Sequence, residues 1–571
     1  MGRVVSWTGH PFVDAGLAAI AAVAEVQDLA QLTPKRLEQA AKELKRVLLS
    51  DQSLGVGVEK SFAKGVLSQL FPNSELVNPS YWKGQTLQQK LQRVRQEYEQ
   101  GIELDLQRAK KCLEAEGHTV CAICGNRCPV EAMLVVRKDK VPLLIGIVNF
   151  YPALSAGLSI CGLCAFALRF LPMAVLQISG NKNLWFLHTQ SLRIATEIAW
   201  EFGWKHLNQC IAQNTSLNFY GEWETSGDAG TVLYLLCELL NKFSHQLRSI
   251  YRSQTPTTAY LFSNDNRSSH VHVQALPIPN DLLRFFAKLQ ARSTSSFERF
   301  WHDLLKVPKS LSEEQRKIRA RFVQVVADRM LRTEQIIGAC LDPETPQLLG
   351  GWEAHRLYLS EVLGMSQDKL AILERLGIQI AQSSEPKKRI NELRGARPNE
   401  LYGILLQYVR EGWLKHDEFC TLLPPNDYSA SSEVRDILLA IAYEWEFCQS
   451  QGKPFPTQEG KITLTPDETL MRIQQVGEQL CLKLPNLSRW IGQLQTARST
   501  DGIRRAYLSA VRSGAMGFAE FIFLAPLGDK RRVWLLRDYL LAFLFERARN
   551  ELPEEELVTV GSEAETDIGG E

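Results

Sequence analysis

Two cysteine pairs, CAIC at Cys121 to Cys124 and CGLC at Cys161 to Cys164, constrain this 571-residue chain more tightly than any other feature. Each CxxC has a glycine beside or inside it, and together they supply four thiolates. Four sulfurs at tetrahedral positions complete a structural zinc shell and leave no position for substrate. The 36 residues between the pairs exceed the spacing of a compact ribbon, so a small subdomain has to be inserted between them. The competing reading is two unrelated pairs of core cysteines, because free Cys packs as a small hydrophobe. Cys112 and Cys128 stand nearby as spare thiols, and Cys128 could replace one of the four ligands.

Twelve cysteines are far below the density of a disulfide scaffold. The opening MGRVVSWTGHPF holds no apolar run ahead of a small-residue cleavage site. The expectation is therefore a cytoplasmic protein with reduced thiols, where clustered Cys bind metal. Residues 141–168 carry no charge over 28 residues, long enough to span a bilayer. Asn149, Pro152, Ser155, Ser159 and a CxxC interrupt that run, which suits burial in protein better than contact with lipid, so no membrane is expected as a partner.

A catalytic metal is not favoured. Neither CxxC is preceded by Pro or accompanied by HxE, the deaminase arrangement, and HExxH and GxxxxGK[ST] are absent. His302-Asp303 and His416-Asp417 could suggest a metal-dependent nuclease. Each lies in an amphipathic helical pattern without further His or Asp nearby, so both are read as surface or capping residues. His270 and His272 alternate on one strand face and are read as the polar side of a hairpin. No catalytic residues are assigned.

Charge is informative only by segment. The formal net charge is +1, but the last 21 residues hold eight acids and no base, so removing them raises it to +9. Residues 471–550 carry 13 basic and 6 acidic side chains. Arg504, Arg505, Arg512, Lys530, Arg531, Arg532 and Arg537 flank apolar helical runs there, a pattern that can track a phosphate backbone without reading sequence or can simply solvate helix faces.

Periodicity places helices at 15–28 with Asp14 as cap, 34–49, 86–115, 313–341 and 355–382. Strands are expected within 129–150, within 171–187 about a turn at Ser179 to Asn183, and as a hairpin in 258–286 whose second arm Pro277 and Pro279 end. Pro424, Pro425 and residues 426–432 read as a linker. Helices at 433–449, 466–482, 501–524 and 530–550 then suggest a bundle. Between the second and third helices, residues 71–85 offer Asn73, Asn78, Ser80, Tyr81, Trp82 and Lys83. Asn can pair with adenine, Lys with phosphate and the aromatics with bases, although an ordinary Asn/Pro turn has the same composition. The fold class is α+β: a mixed N-terminal domain with an inserted zinc-binding subdomain, a mainly helical middle and a C-terminal helical bundle.

In this order, TGHPFVDAG, the FPNS…NPS loop, the CxxC…CxxC insertion, SGNKNLWFLH and YLFSNDNRSSHVHVQALP resemble the large subunit of a type I-B CRISPR surveillance complex, or Cascade, over residues 7–290. The resemblance implies a non-catalytic, RNA-guided defence subunit. Such a subunit reads the protospacer-adjacent motif (PAM) in duplex DNA, promotes opening of the duplex into an R-loop and stabilises the displaced strand. Its partners would be the guide-RNA-containing backbone, guide-processing and small subunits, the target DNA, and helicase-nuclease or transposition proteins recruited by the assembly.

It also implies an organisation. Residues 1–115 would be the helical and loop part of the PAM-reading domain, 116–190 the zinc insertion, 191–425 the rest of the body, 433–550 a bundle similar to the small subunit, and 551–571 a disordered acidic tail. Asn73, Asn78 and Lys83 fall in the loop that resembles the PAM-contacting region. The alternative is a stand-alone zinc-containing enzyme that processes nucleic acid.

Overall fold

The computed structural model describes residues 4–54, 66–67, 70–71, 86–136, 157–177, 184–213, 227–242, 256–263, 272–308, 310–342, 345–424, 430–456 and 468–551. The chain divides into two compact units, Met1–Glu334 and Gln335–Glu571. It is mostly helical with a few small antiparallel sheets, consistent with the α+β expectation.

In the first unit, α1 (Pro11–Val23) starts earlier than the Ala-rich pattern suggests, because Pro11 at the first helical position gives up no hydrogen bond. Asp14 is therefore not the N-cap. It sits one turn inside the helix, 1% exposed, and its carboxylate turns back to accept from the segment before Pro11. The helix ends at Val23 because Glu25 takes φ +53°, with the Val26 amide donating to Ala21 O at 3.1 Å. This is the left-handed closure usually given to glycine. Two further helices match their sequence signals: α2 (Pro34–Leu48), capped by Thr33, and α3 (Leu87–Glu114), opened by a Thr86/Gln89 capping box.

The small strands β1 (Thr119–Val120) and β2 (Arg127–Cys128) pair, as do β3 (Met133–Val136) and β4 (Leu158–Cys161). β4 runs directly into α4 (Gly162–Phe170), which packs against both α1 and α3. Of the uncharged stretch 141–168, residues 157–168 are described, and Ala165, Phe166 and Ala167 are core residues. α4 crosses α1 so closely that a Cβ on Gly16 would lie 2.0 Å from Ala167 O. Small residues on α1 are thus what permit the crossing. No helix among the described residues is long and apolar enough to cross a membrane.

A four-stranded meander follows in the order β5 (Leu176–Gln177), β6 (Leu184–Thr189), β7 (Thr257–Ser263), β8 (His272–Ile278). The part of 171–187 nearest the apolar segment is a 3₁₀ turn, Leu171–Met173, rather than strand. The β7–β8 hairpin stands as expected, except that Pro277 lies within β8, opposite Thr258, and only Pro279 ends it. β8 is an edge strand, where a missing amide costs no ladder bond. The turn at 179–183 and His270 lie outside the described residues, and His272 opens β8.

The second unit is helical. The 355–382 pattern is two helices, Trp352–Glu361 and Gln367–Gln382, parted by Gly364 at φ +67°. Likewise, 501–524 is two helices, Thr500–Arg512 and Phe518–Leu524, because Gly514 at φ +76° closes the first. Helices Ala430–Ser450, Glu468–Lys483 and Lys530–Glu551 fall where expected, and Leu487–Thr496 is an additional one. Residues 425–429 of the expected linker and 552–571 of the tail lie outside the described residues.

Candidate metal centre

The first cysteine pair sits on a knuckle. The Cys121 amide donates to Asn126 O at 2.8 Å and the Gly125 amide to Cys121 O at 3.0 Å, with Gly125 at φ +68° supplying the left-handed step. The Ala122 amide ties this knuckle to Ser159 O of β4 at 2.9 Å. The second pair straddles a junction: Cys161 ends β4 and is the N-cap of α4, and Cys164 lies in the first turn of that helix. Gly162 allows α4 to meet α3, because a Cβ there would come within 2.3 Å of Arg108 Cβ. Arg169 at the far end of α4 anchors it. Its Nε donates to the buried Asp105 at 2.9 Å, and its guanidinium lies 5.1 Å from the Tyr98 ring centroid.

These elements bring Cys121, Cys124, Cys161 and Cys164 together with all four sulfurs within 4.8 Å of one another. Cys121 Sγ and Cys164 Sγ are 3.9 Å apart, and Cys124 Sγ and Cys161 Sγ 3.7 Å. A tetrahedron with a centre-to-sulfur distance of about 2.3 Å has an edge of about 3.8 Å. The four cysteines could therefore hold one metal ion. The described cysteines form no disulfide. Four sulfurs this close cannot all ionise without a cation. Hydrogen bonds from the Cys124, Cys161 and Cys164 thiols draw Cys121 down, whereas the contact with Cys112, followed by those with Cys121 and Cys124, pushes Cys161 up. The Cys161 amide also donates to Cys121 Sγ at 3.2 Å. A second set shares one member with the first: Cys112, Cys128 and Cys161.

Asn73, Asn78 and Lys83 lie outside the described residues. Among the basic residues of the second unit, Arg505, Arg512, Lys530, Arg531 and Arg532 are exposed, and Arg504 is half-buried with its Nη2 on Pro526 O at 3.3 Å. Arg537 differs from them all. Its guanidinium binds Asp538 through Nε at 2.8 Å and Nη2 at 2.5 Å, reaches Ala497 O at 3.4 Å and covers the Trp534 ring at 4.4 Å. It ties together helices of its own unit.

His302 is exposed, as expected. His416 is not a surface residue. It is 1% exposed, its amide donates to Glu546 at 2.6 Å, and its ring packs edge-on against Phe543. With Asp417 at 3.3 Å from Nδ1 and Cys420 Sγ at 3.4 Å from Nε2, it forms a Cys-His-Asp row. Burial pushes the Cys420 thiol well above its usual value, the opposite of an activated nucleophile.

Sequence reasoning missed one polar centre in the first unit. Asp14 accepts from Thr8 N at 2.8 Å, Thr8 Oγ1 at 2.7 Å and Gly9 N at 3.0 Å, and it meets His188 Nε2 of β6 at 3.1 Å. Phe12 packs against Phe186 and Phe262, and Phe186 stacks on Tyr260 at 5.1 Å. His10 is half-buried against Phe12, and desolvation lowers its pKa. The available signal is that TGHPFVDAG and NLWFLH both place polar groups inside apolar runs. No family model, curated protein or solved structure matches the chain.

Proposed function

We propose that the protein is a non-catalytic large subunit of a type I-B CRISPR RNA-guided complex. In this reading it recognises the PAM in duplex DNA, promotes R-loop formation and stabilises the displaced strand, and the assembled complex recruits a helicase-nuclease or transposition proteins. The observation that carries the reading is the convergence of three of the segments that bear the resemblance. TGHPFVDAG, NLWFLH and YLF, far apart in sequence, meet through Asp14–His188 and Phe12–Phe186–Tyr260. Segments with a shared structural role are more than an accidental run of short motifs.

The cysteine centre takes Zn²⁺ in a structural role. All four positions are thiolate, which suits zinc, and none is left for a reacting water. Among the described residues the groups at ligating distance contain only cysteine. The exposed Arg505, Arg512, Lys530, Arg531 and Arg532 supply cations for a phosphate backbone.

The test is reconstitution with guide RNA, backbone and guide-processing subunits, and a DNA library randomised beside the target. The complex should select a short flanking motif, and Ala at Asn73, Asn78 and Lys83 should weaken or relax that selection. Guide-dependent binding that ignores the flanking sequence in the intact complex would exclude PAM reading by this chain.

A further inference from the structure

Five cysteines crowd around Cys161, and with it they form two sets that share it. Cys121, Cys124, Cys161 and Cys164 are one; Cys112, Cys128 and Cys161 are the other, again with all sulfurs within 4.8 Å of one another. The geometry points to a thiolate-bridged pair of metal ions, one held by the four-cysteine set and a second, thiophilic ion held by Cys112, Cys128 and the shared sulfur of Cys161. The inference rests on the metal-holding reading of the first set.

The second set is built by three separate elements. Cys112 comes from the last turn of α3, Cys128 from β2, and Cys161 from the junction of β4 and α4; none is more than 1% exposed. Core packing alone asks only that cysteines be buried, and it does not require three sulfurs from three elements to converge. Three sulfurs around an ion at about 2.3 Å have an edge of about 4.0 Å, which the observed spread accommodates. Soft ions such as Zn²⁺, Cd²⁺ and Cu⁺ accept such donors.

Cys112 Sγ donates to Ala132 O at 3.7 Å, a contact that fixes the side chain beside this set and that the thiol gives up when it binds an ion.

The experiment is a metal count on the full chain, prepared reduced and free of oxygen, then titrated with Zn²⁺ and in parallel with Cd²⁺ for ¹¹³Cd NMR. Two ions per chain and two cadmium resonances are expected. The double variant Cys112→Ser/Cys128→Ser should keep one of each, with an unchanged far-ultraviolet spectrum. One ion in the wild type, undiminished in the double variant, overturns the second site and leaves the first standing. No bound ion overturns both, and two ions persisting in the double variant places the second elsewhere and also overturns it. The wild-type count decides the matter even if the double variant does not fold.

Discussion

Asp14 Oδ2 and His188 Nε2 are 3.1 Å apart although 174 positions separate them in the chain. Their contact joins the start of α1 to β6, and the same carboxylate holds the Thr8–Gly9 turn. Removing the carboxylate leaves two amides, a hydroxyl and an imidazole without their acceptor inside the protein. Asp14→Ala should cost about 3 kcal/mol, and Asp14→Asn less, read as a shift in the denaturant midpoint. An unchanged midpoint in Asp14→Ala would show that the contact does not hold the sheet to the helix.

The α1–α4 crossing gives a second prediction. Because a Cβ on Gly16 meets backbone at Ala167 O, no rotamer change relieves the clash, and the helices must separate. Gly16→Ala should destabilise the first unit by about 1–3 kcal/mol, despite Ala's higher helix propensity. A stabilised protein would mean that propensity outweighs the close approach.

Metal removal should act on the same unit. Ligand thiols must lose their protons to bind, so acid and chelators both release the ion. Cys121→Ser should lose the four-cysteine ion and cost about 3 kcal/mol or more, seen as a lower melting midpoint that added Zn²⁺ does not restore. Full metal content in this variant would remove Cys121 from the ligand set.

The basic residues of the second unit should separate into two classes. Arg537→Ala should lower stability, because it strands the buried Asp538. Arg512→Ala and Arg532→Ala should leave folding intact and flatten the salt dependence of DNA binding. The logarithmic slope should fall by about 0.7 for each single-strand phosphate that the variant no longer neutralises. Equal effects of all three on melting would refute the division.

Asp538 also predicts a pH dependence. Burial pushes its carboxyl up to about 6, with Arg537 pulling the other way. The folded chain then holds this proton more tightly than the unfolded one, so the stability of the second unit falls as pH rises from about 4 to about 6, by on the order of 3 kcal/mol. Asp538→Asn should flatten that part of the profile in denaturant titrations at each pH. A profile that keeps its slope assigns the dependence to another group.

Local signals carry well into this structure. Thr33-Pro34 and Thr86…Gln89 announce two helix starts because capping is written in adjacent residues. At 355–382 and 501–524 periodicity alone makes each helix too long. Gly364 and Gly514 are tolerable within a helical pattern, and only their positive φ in the folded chain makes them breaks. His416 departs from its surface reading for a related reason: periodicity assigns a face, but what covers that face is decided by distant residues such as Phe543 and Glu546.

By itself the sequence determined the two closely spaced thiol pairs, the glycine beside the first and the basic excess ahead of the acidic end, since residue type, short spacing and charge are local properties. Only the tertiary structure decided that the two CxxC pairs share one cluster of sulfurs, that Cys112 and Cys128 join them at Cys161, and that Asp14 faces His188 rather than capping its helix. It also decided that Arg537 is committed to Asp538. Most of these are contacts between residues far apart in the chain, set by how α1, α3, α4 and the strands pack, and no short window of sequence contains both partners. Arg537 and Asp538 are neighbours, but their burial together is decided by the helices around them.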